Sequence, residues 1–139
     1  MAILLKSHQQ VGKYKVKHLI RREGIFTDYS VVAEPAGKCF ELRQYKSPGC
    51  SSAWFDKYIE YLETIKLLIN DVSELAAVFE HTTDIFVDER SHSLCRITAP
   101  RPQRLADLMA TGSISLQDRF QLAIKLAAAV AQVHSWGIV

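Results

Sequence analysis

The stretch Leu116 to Trp136, LQDRFQLAIKLAAAVAQVHSW, constrains the fold more than any other part of the chain. Apolar residues at Leu116, Phe120, Ala123, Ile124, Ala127, Val130, Ala131 and Val133 recur at helical spacing. Ser115 suits an N-cap, and Asp118 in the first turn suits the positive end of the helix dipole. Between Leu122 and Val133 only Lys125 and Gln132 are polar. This spacing predicts a central helix, buried on most sides. A helix of that kind needs a cover, so a protein partner or further protein mass is expected over residues 116–136.

Composition bounds the rest. A chain of 139 residues with 48% hydrophobic content has material for the core of an ordinary domain. Seventeen basic against fifteen acidic side chains leave a net charge of +2, too mild to point to a nucleic-acid or membrane-surface partner. Cys39, Cys50 and Cys95 are odd in number and lack paired spacing, which fits reduced thiols in a cytoplasmic setting. The opening Ala2-Ile3-Leu4-Leu5 is too short for a signal-peptide core, and no apolar run approaches membrane-spanning length.

Along the chain, residues 1–10 read as a flexible lead-in. Strands are predicted at Lys13–Ile20, with Tyr14, Val16 and His18 on one face, at Tyr29–Ala33 and at Cys39–Tyr45. Pro48-Gly49 is a break, and Ser51 or Ser52 can cap an amphipathic helix that carries Trp54, Phe55, Tyr58, Ile59, Leu62, Ile65, Leu68 and Ile69. Val72 to His81 fits either more helix or the start of a strand. Asp84–Asp88 and Ser93–Thr98 form a hairpin. Ala99-Pro-Arg-Pro102 cannot sit inside a helix or continue a strand, so 99–104 is a hinge. Helices alone follow over 105–139. The class is α+β: a five-stranded antiparallel sheet domain over 11–98 with one main helix, then the first helices of a second lobe.

This order of elements resembles the protein-kinase superfamily, from its first strand up to the catalytic loop. The run that carries the likeness most specifically is Val133-His134, Gly137 and Ile138-Val139, which fits the end of the long helix in the kinase C-terminal lobe. Arg104-Leu105-Ala-Asp-Leu108 is similar to the short helix after the kinase hinge. More loosely, the chain resembles the degenerate bacterial kinases linked to nuclease-related domains in phage-defence systems.

The resemblance implies a serine/threonine-kinase-like ATP-binding lobe, with ATP and Mg2+ as the family's cofactors. Gly24 is then the remaining glycine of the loop that holds triphosphate, and Phe26 the aromatic at its tip. Arg43 falls at the lysine position, six residues beyond the turn glycine Gly37. Glu41 shares its face and is expected to pair with it. Glu60 is the expected helix partner of Arg43, with Glu63 as the alternative. No residue of the chain matches the catalytic aspartate or the magnesium-holding residues. Phosphate transfer is therefore not expected of it, and a pseudokinase-type interaction module is the alternative reading.

The remaining candidates have plain structural readings. Trp54 and Trp136 are expected to pack, and His134 to play the structural part of the family's helix-end histidine. The spacing of His8, His18, His81 and His92 suggests no metal site. Arg96, Arg101 and Arg104 are expected to form a solvated basic face around the hinge.

Overall fold

The computed structural model describes residues 3–46, 53–71, 79–102 and 104–138. The expectations for Cys50, Pro48-Gly49, the caps at Ser51 or Ser52, and most of Val72 to His81 lie outside the described residues. The elements in order are β1 (Gln10–Val11), β2 (Tyr14–Arg22), β3 (Phe26–Ala33), β4 (Lys38–Lys46), α1 (Ala53–Asp71), β5 (Thr82–Asp88), β6 (Ser93–Thr98), α2 (Leu105–Ala110) and α3 (Leu116–Ser135). They divide between two compact units. One comprises Met1–Leu67 with His81–Pro100, and the other Leu68–Glu80 with Arg101–Val139, so the last residues of α1 fall in the second unit.

The class is α+β, with six strands instead of five. The strands form one antiparallel sheet in the order β1-β2-β3-β4-β6-β5. The extra strand is the short β1, which pairs with Tyr14 and Lys15. It comes from a lead-in that is built into the unit. Leu5 is buried, its backbone N–H donates to the Tyr29 hydroxyl at 3.1 Å, and Gln44 Nε2 donates to the Ile3 carbonyl at 2.8 Å.

Alternation along β3 and β4 gives the sheet two working faces. Tyr29, Val31 and Leu42 join Leu5, Val11, Tyr14, Val16, Cys95 and Ile97 in the main core. On the other face Tyr45 and Leu94 pack with Phe55 of α1, while Trp54, Tyr58 and Ile59 lie against them. β6 lies between β4 and β5 and is buried at every position, as expected of an inner strand covered on both faces. Tyr14 and Val16 point inward as their alternation predicts, but His18 is exposed. A register irregularity between Val16 and His18 takes it off their face.

The sheet curls. Phe86 of β5 stacks parallel to Tyr14 of β2 at 6.3 Å between centroids, and the Tyr14 hydroxyl donates to Asp84 at 3.1 Å. A buried polar chain crosses the main core. The Tyr29 hydroxyl donates to Gln44 Oε1, Gln44 Nε2 donates to Ser93 Oγ, and Ser93 bonds Ser91, which in turn bonds Asp88. Gln44 is polar at a fully buried position because these partners satisfy its amide.

In the second unit, α2 and α3 form as spaced. The Ser115 hydroxyl accepts from the Asp118 backbone N–H at 3.1 Å and so caps α3. At the other end Gly137 has φ 71°, its N–H donates to the His134 carbonyl, and the Ile138 N–H donates to the Val133 carbonyl. That pair of bonds is the Schellman arrangement, which needs a residue tolerant of the left-handed conformation at the position of Gly137. The expected burial of α3 is not found: none of its residues is buried. Apolar content predicted a core helix, but the described residues leave its wide apolar arc uncovered. No helix of the described residues is long and apolar enough to cross a membrane.

Burial pushes the Cys95 thiol up from 9.0 to about 12, with the Asp88 charge adding to it. Burial, with Asp84 nearby, likewise pushes Tyr14 up from 10.0 to about 12. Both groups hold their protons more tightly folded than unfolded. Their contribution is therefore complete below pH 9 and declines as pH rises through the window up to 12. Urea midpoints measured between about pH 8 and pH 11 should fall steadily, and Cys95→Val should flatten the lower part of that decline.

Candidate functional site

The charged residues on the α1 face of the sheet are brought together by register. Asp28 on β3 stands opposite Arg21 on β2 and Arg43 on β4. Arg43 donates from Nε to Asp28 Oδ1 at 2.8 Å and from Nη2 to Oδ2 at 2.9 Å. Arg21 donates from Nε to the same Oδ2 at 2.7 Å. The side chain of Asp28 is 0% exposed, and those of Arg21 and Arg43 are 16% and 18% exposed. Two guanidinium groups thus share one buried carboxylate, with the fork on fork that makes an arginine–carboxylate pair strong.

Aromatic side chains frame this triad. The Arg43 guanidinium lies 3.8 Å from the centroid of the Phe26 ring, a cation–π contact. Phe26 meets Tyr45 edge to face, and the Tyr45 and Tyr58 hydroxyls bond each other at 2.9 Å, which ties β4 to α1. Burial works against the charge on Arg43, but the hydrogen bonds and charge of Asp28 outweigh it and hold the guanidinium more firmly protonated than usual. Burial, followed by the bond to Tyr45, raises Tyr58.

The expected site residues fall out as follows. Phe26 and Arg43 are together, in contact. The carboxylate that receives the Arg43 fork is Asp28, instead of the Glu41 or Glu60 anticipated from strand face and helix spacing. Glu60 and Glu63 are both exposed on α1, and neither forms an ion pair with Arg43. Glu63 lines a groove with Leu62, Lys66 and Thr82 to Ile85, of about 150 Å3, well below the ~300 Å3 at which ligand pockets begin.

Gly24 lies in a tight turn in which the Glu23 N–H donates to the Phe26 carbonyl at 2.9 Å, and the Ile25 carbonyl accepts from the Lys46 N–H at 3.0 Å. A Cβ on Gly24 would meet nothing within 4 Å, and its φ is not in the left-handed region. Neither conformation nor close approach requires glycine there. The residues present do not fit Mg-ATP. Arg43, expected at the lysine position, is committed to the buried carboxylate of Asp28, and the turn is closed by hydrogen bonds of its own backbone and of Lys46. Among the described residues no group of three His, Cys, Asp or Glu side chains could hold a metal ion.

Arg96, Arg101 and Arg104 do not form the solvated basic face expected of them. Arg96 is buried and donates from Nε to Thr82 Oγ1 at 2.8 Å. In the second unit, Arg101 pairs with Glu80 at 2.6 Å and Arg104 with Asp107 at 3.1 Å.

Asp28 is the residue that sequence reasoning missed. A signal was present: a lone carboxylate between Phe26 and Ser30 on one strand face, with an arginine on each neighbouring strand. Reading it required the register of three strands at once. No protein-family model matches the chain, and no curated protein matches it.

Breaking the triad should be costly. Asp28→Asn should destabilise the fold by ~3–5 kcal/mol, because it leaves two guanidinium groups without their counter-charge. Glu60→Gln, on an exposed helix position, should stay within ~0.5 kcal/mol. Urea denaturation of the two variants distinguishes Asp28 from Glu60 as the partner of Arg43.

Proposed function

We propose that this chain is a protein-kinase-like lobe that does not use ATP, in which the arginine at the lysine position holds the sheet together. The observation that carries the reading is the Arg43 fork on the buried Asp28, with Arg21 on the same carboxylate. An arginine so engaged is not available to a phosphate unless Asp28 gives it up, and a phosphate would have to offset the loss of a buried ion pair. The kinase-like part of the reading draws on the succession of four strands (the short β1 added to the three expected), a helix, two strands and then helices, together with the Val133-His134 and Gly137-Ile138 run. No phosphoryl transfer is assigned to it.

The second reading, a pseudokinase-type interaction module, is favoured by α3. Leu116, Phe120, Ile124, Leu126 and Val130 are all exposed on it. Apolar surface of that extent marks a binding face.

Calorimetric titration and thermal-shift measurement with Mg-ATP test the proposal. No heat of binding and no shift are expected. A micromolar nucleotide at a hundred-fold excess over its Kd would instead stabilise the fold by ~2.7 kcal/mol, a shift of several degrees. Binding of that strength, weakened by Arg43→Ala, would overturn the proposal.

A further inference from the structure

The exposed face of α3 has an order that burial in an ordinary core does not demand. Leu116, Phe120, Ala123, Ala127, Val130 and His134 follow one another at alternating spacings of four and three residues. This is the repeat of a helix that pairs with another helix along a single seam. None of the six is buried, with Leu116 at 70%, Phe120 at 63% and Val130 at 44% exposure. Beside the seam stand Ile124 at 62% and Leu126 at 58%. The short α2 meets α3 mainly on one flank, around a groove of about 220 Å3 lined by Leu105, Met109, Arg119, Leu122, Ala123 and Leu126. Among the described residues, the rest of the seam is exposed.

We propose that α3 pairs antiparallel with α3 of a second copy of this chain, about a two-fold axis at the level of Lys125. The seam is self-complementary about that point. Leu116 faces His134 of the second copy, Phe120 faces its Val130, and Ala123 faces its Ala127. Small residues at the centre let the two backbones approach, and larger ones fill the ends. Ile124, on the flank away from α2, meets its own symmetry mate, as an isologous interface requires, while Leu126 borders the α2 groove at the edge of the contact. Asp118 and Lys125 lie away from the seam. Arg119 is the one charged residue at a flanking position, where charges would otherwise select an unlike partner, and it faces Val133. The antiparallel direction also opposes the two helix dipoles. A parallel pair would set His134 on His134 and Phe120 on Phe120, with a gap at the alanines.

The contact runs about 27 Å along the helix. The five large apolar side chains expose on the order of 500 Å2 per copy, so two copies bring roughly 1,000 Å2, the floor for a specific interface. A dimer dissociating on the order of micromolar is therefore expected. The pairing does not depend on whether the sheet unit binds nucleotide.

Sedimentation velocity of the full chain from about 1 to 100 µM, spanning a weak dimer's range, should show a monomer–dimer equilibrium. Ala127→Glu should weaken it at least ~100-fold, since it buries two uncompensated carboxylates, whereas Lys125→Glu should leave it within ~2-fold. Circular dichroism checks that both variants keep their helix. Should Ala127→Glu fail to fold, cross-linking still decides: with Cys39 and Cys50 changed to serine, Ile124→Cys should form a disulfide-linked dimer under mild oxidation and Lys125→Cys should not. A monomer throughout the range overturns the proposal, as does a dimer indifferent to Ala127→Glu. So does a monomer that Ala127→Glu strongly destabilises, because the seam would then be covered within one chain. Nucleotide binding would leave the sedimentation result untouched.

Discussion

The α1 face of the sheet depends on one carboxylate. Asp28 has no exposure of its own and sits where three strands run side by side, so its charge must be met by neighbours across the strands. Arg21 and Arg43 meet it from either side. Arg43 then lies on Phe26, Phe26 touches Tyr45, and Tyr45 is bonded to Tyr58 of α1. Register, aromatic packing and the seating of the helix are joined through this cation. A one-residue slip of β3 would turn Asp28 to the main core and Tyr29 away from Gln44 and Leu5, so the ion pair and the apolar alternation enforce the same register.

The same commitment decides the chemistry. A lysine at the position of Arg43 would hold a single mobile charge, able to leave one acceptor for another. Arginine presents a planar fork that matches a carboxylate at two points, and both points are used here. Losing that arrangement leaves a buried charge without its partner, so the arrangement favours stability of the sheet.

Much of the fold was legible in the sequence because it depends on local periodicity. The strands from Tyr14, Cys39, Asp84 and Ser93, the helix from Trp54 and the long helix from Leu116 follow from alternation and three-to-four spacing, with ends shifted by a few residues. The structured lead-in was not legible, since Leu5 is held by Tyr29, and Ile3 by Gln44, through contacts that no local pattern encodes. The site was half legible. Arg43 could be placed by counting, but its partner could not, because helix spacing points to Glu60 while strand pairing points to Asp28. Arg96 looked like surface for the same reason, although it is buried on β6, between β4 and β5.

The end of α3 shows why a motif and a function can part company. Val133, His134, Gly137 and Ile138 are the run on which the proposed kinase-like reading draws, yet each also does what a helix end requires. The carbonyls of Val133 and His134 accept the N–H groups of Ile138 and Gly137, and only a residue at ease with a φ of 71° serves at 137. Helix termination alone would select this much of the run, in a kinase or outside one. The seam that precedes it is another matter. Capping does not require Leu116, Phe120, Ala123, Ala127 and Val130 to fall on one line, nor Ile124 and Leu126 to flank the smallest pair. Spacing of that kind suits the helix pairing proposed above, so the residues that bear most on what α3 does lie in its middle, not in the run at its end.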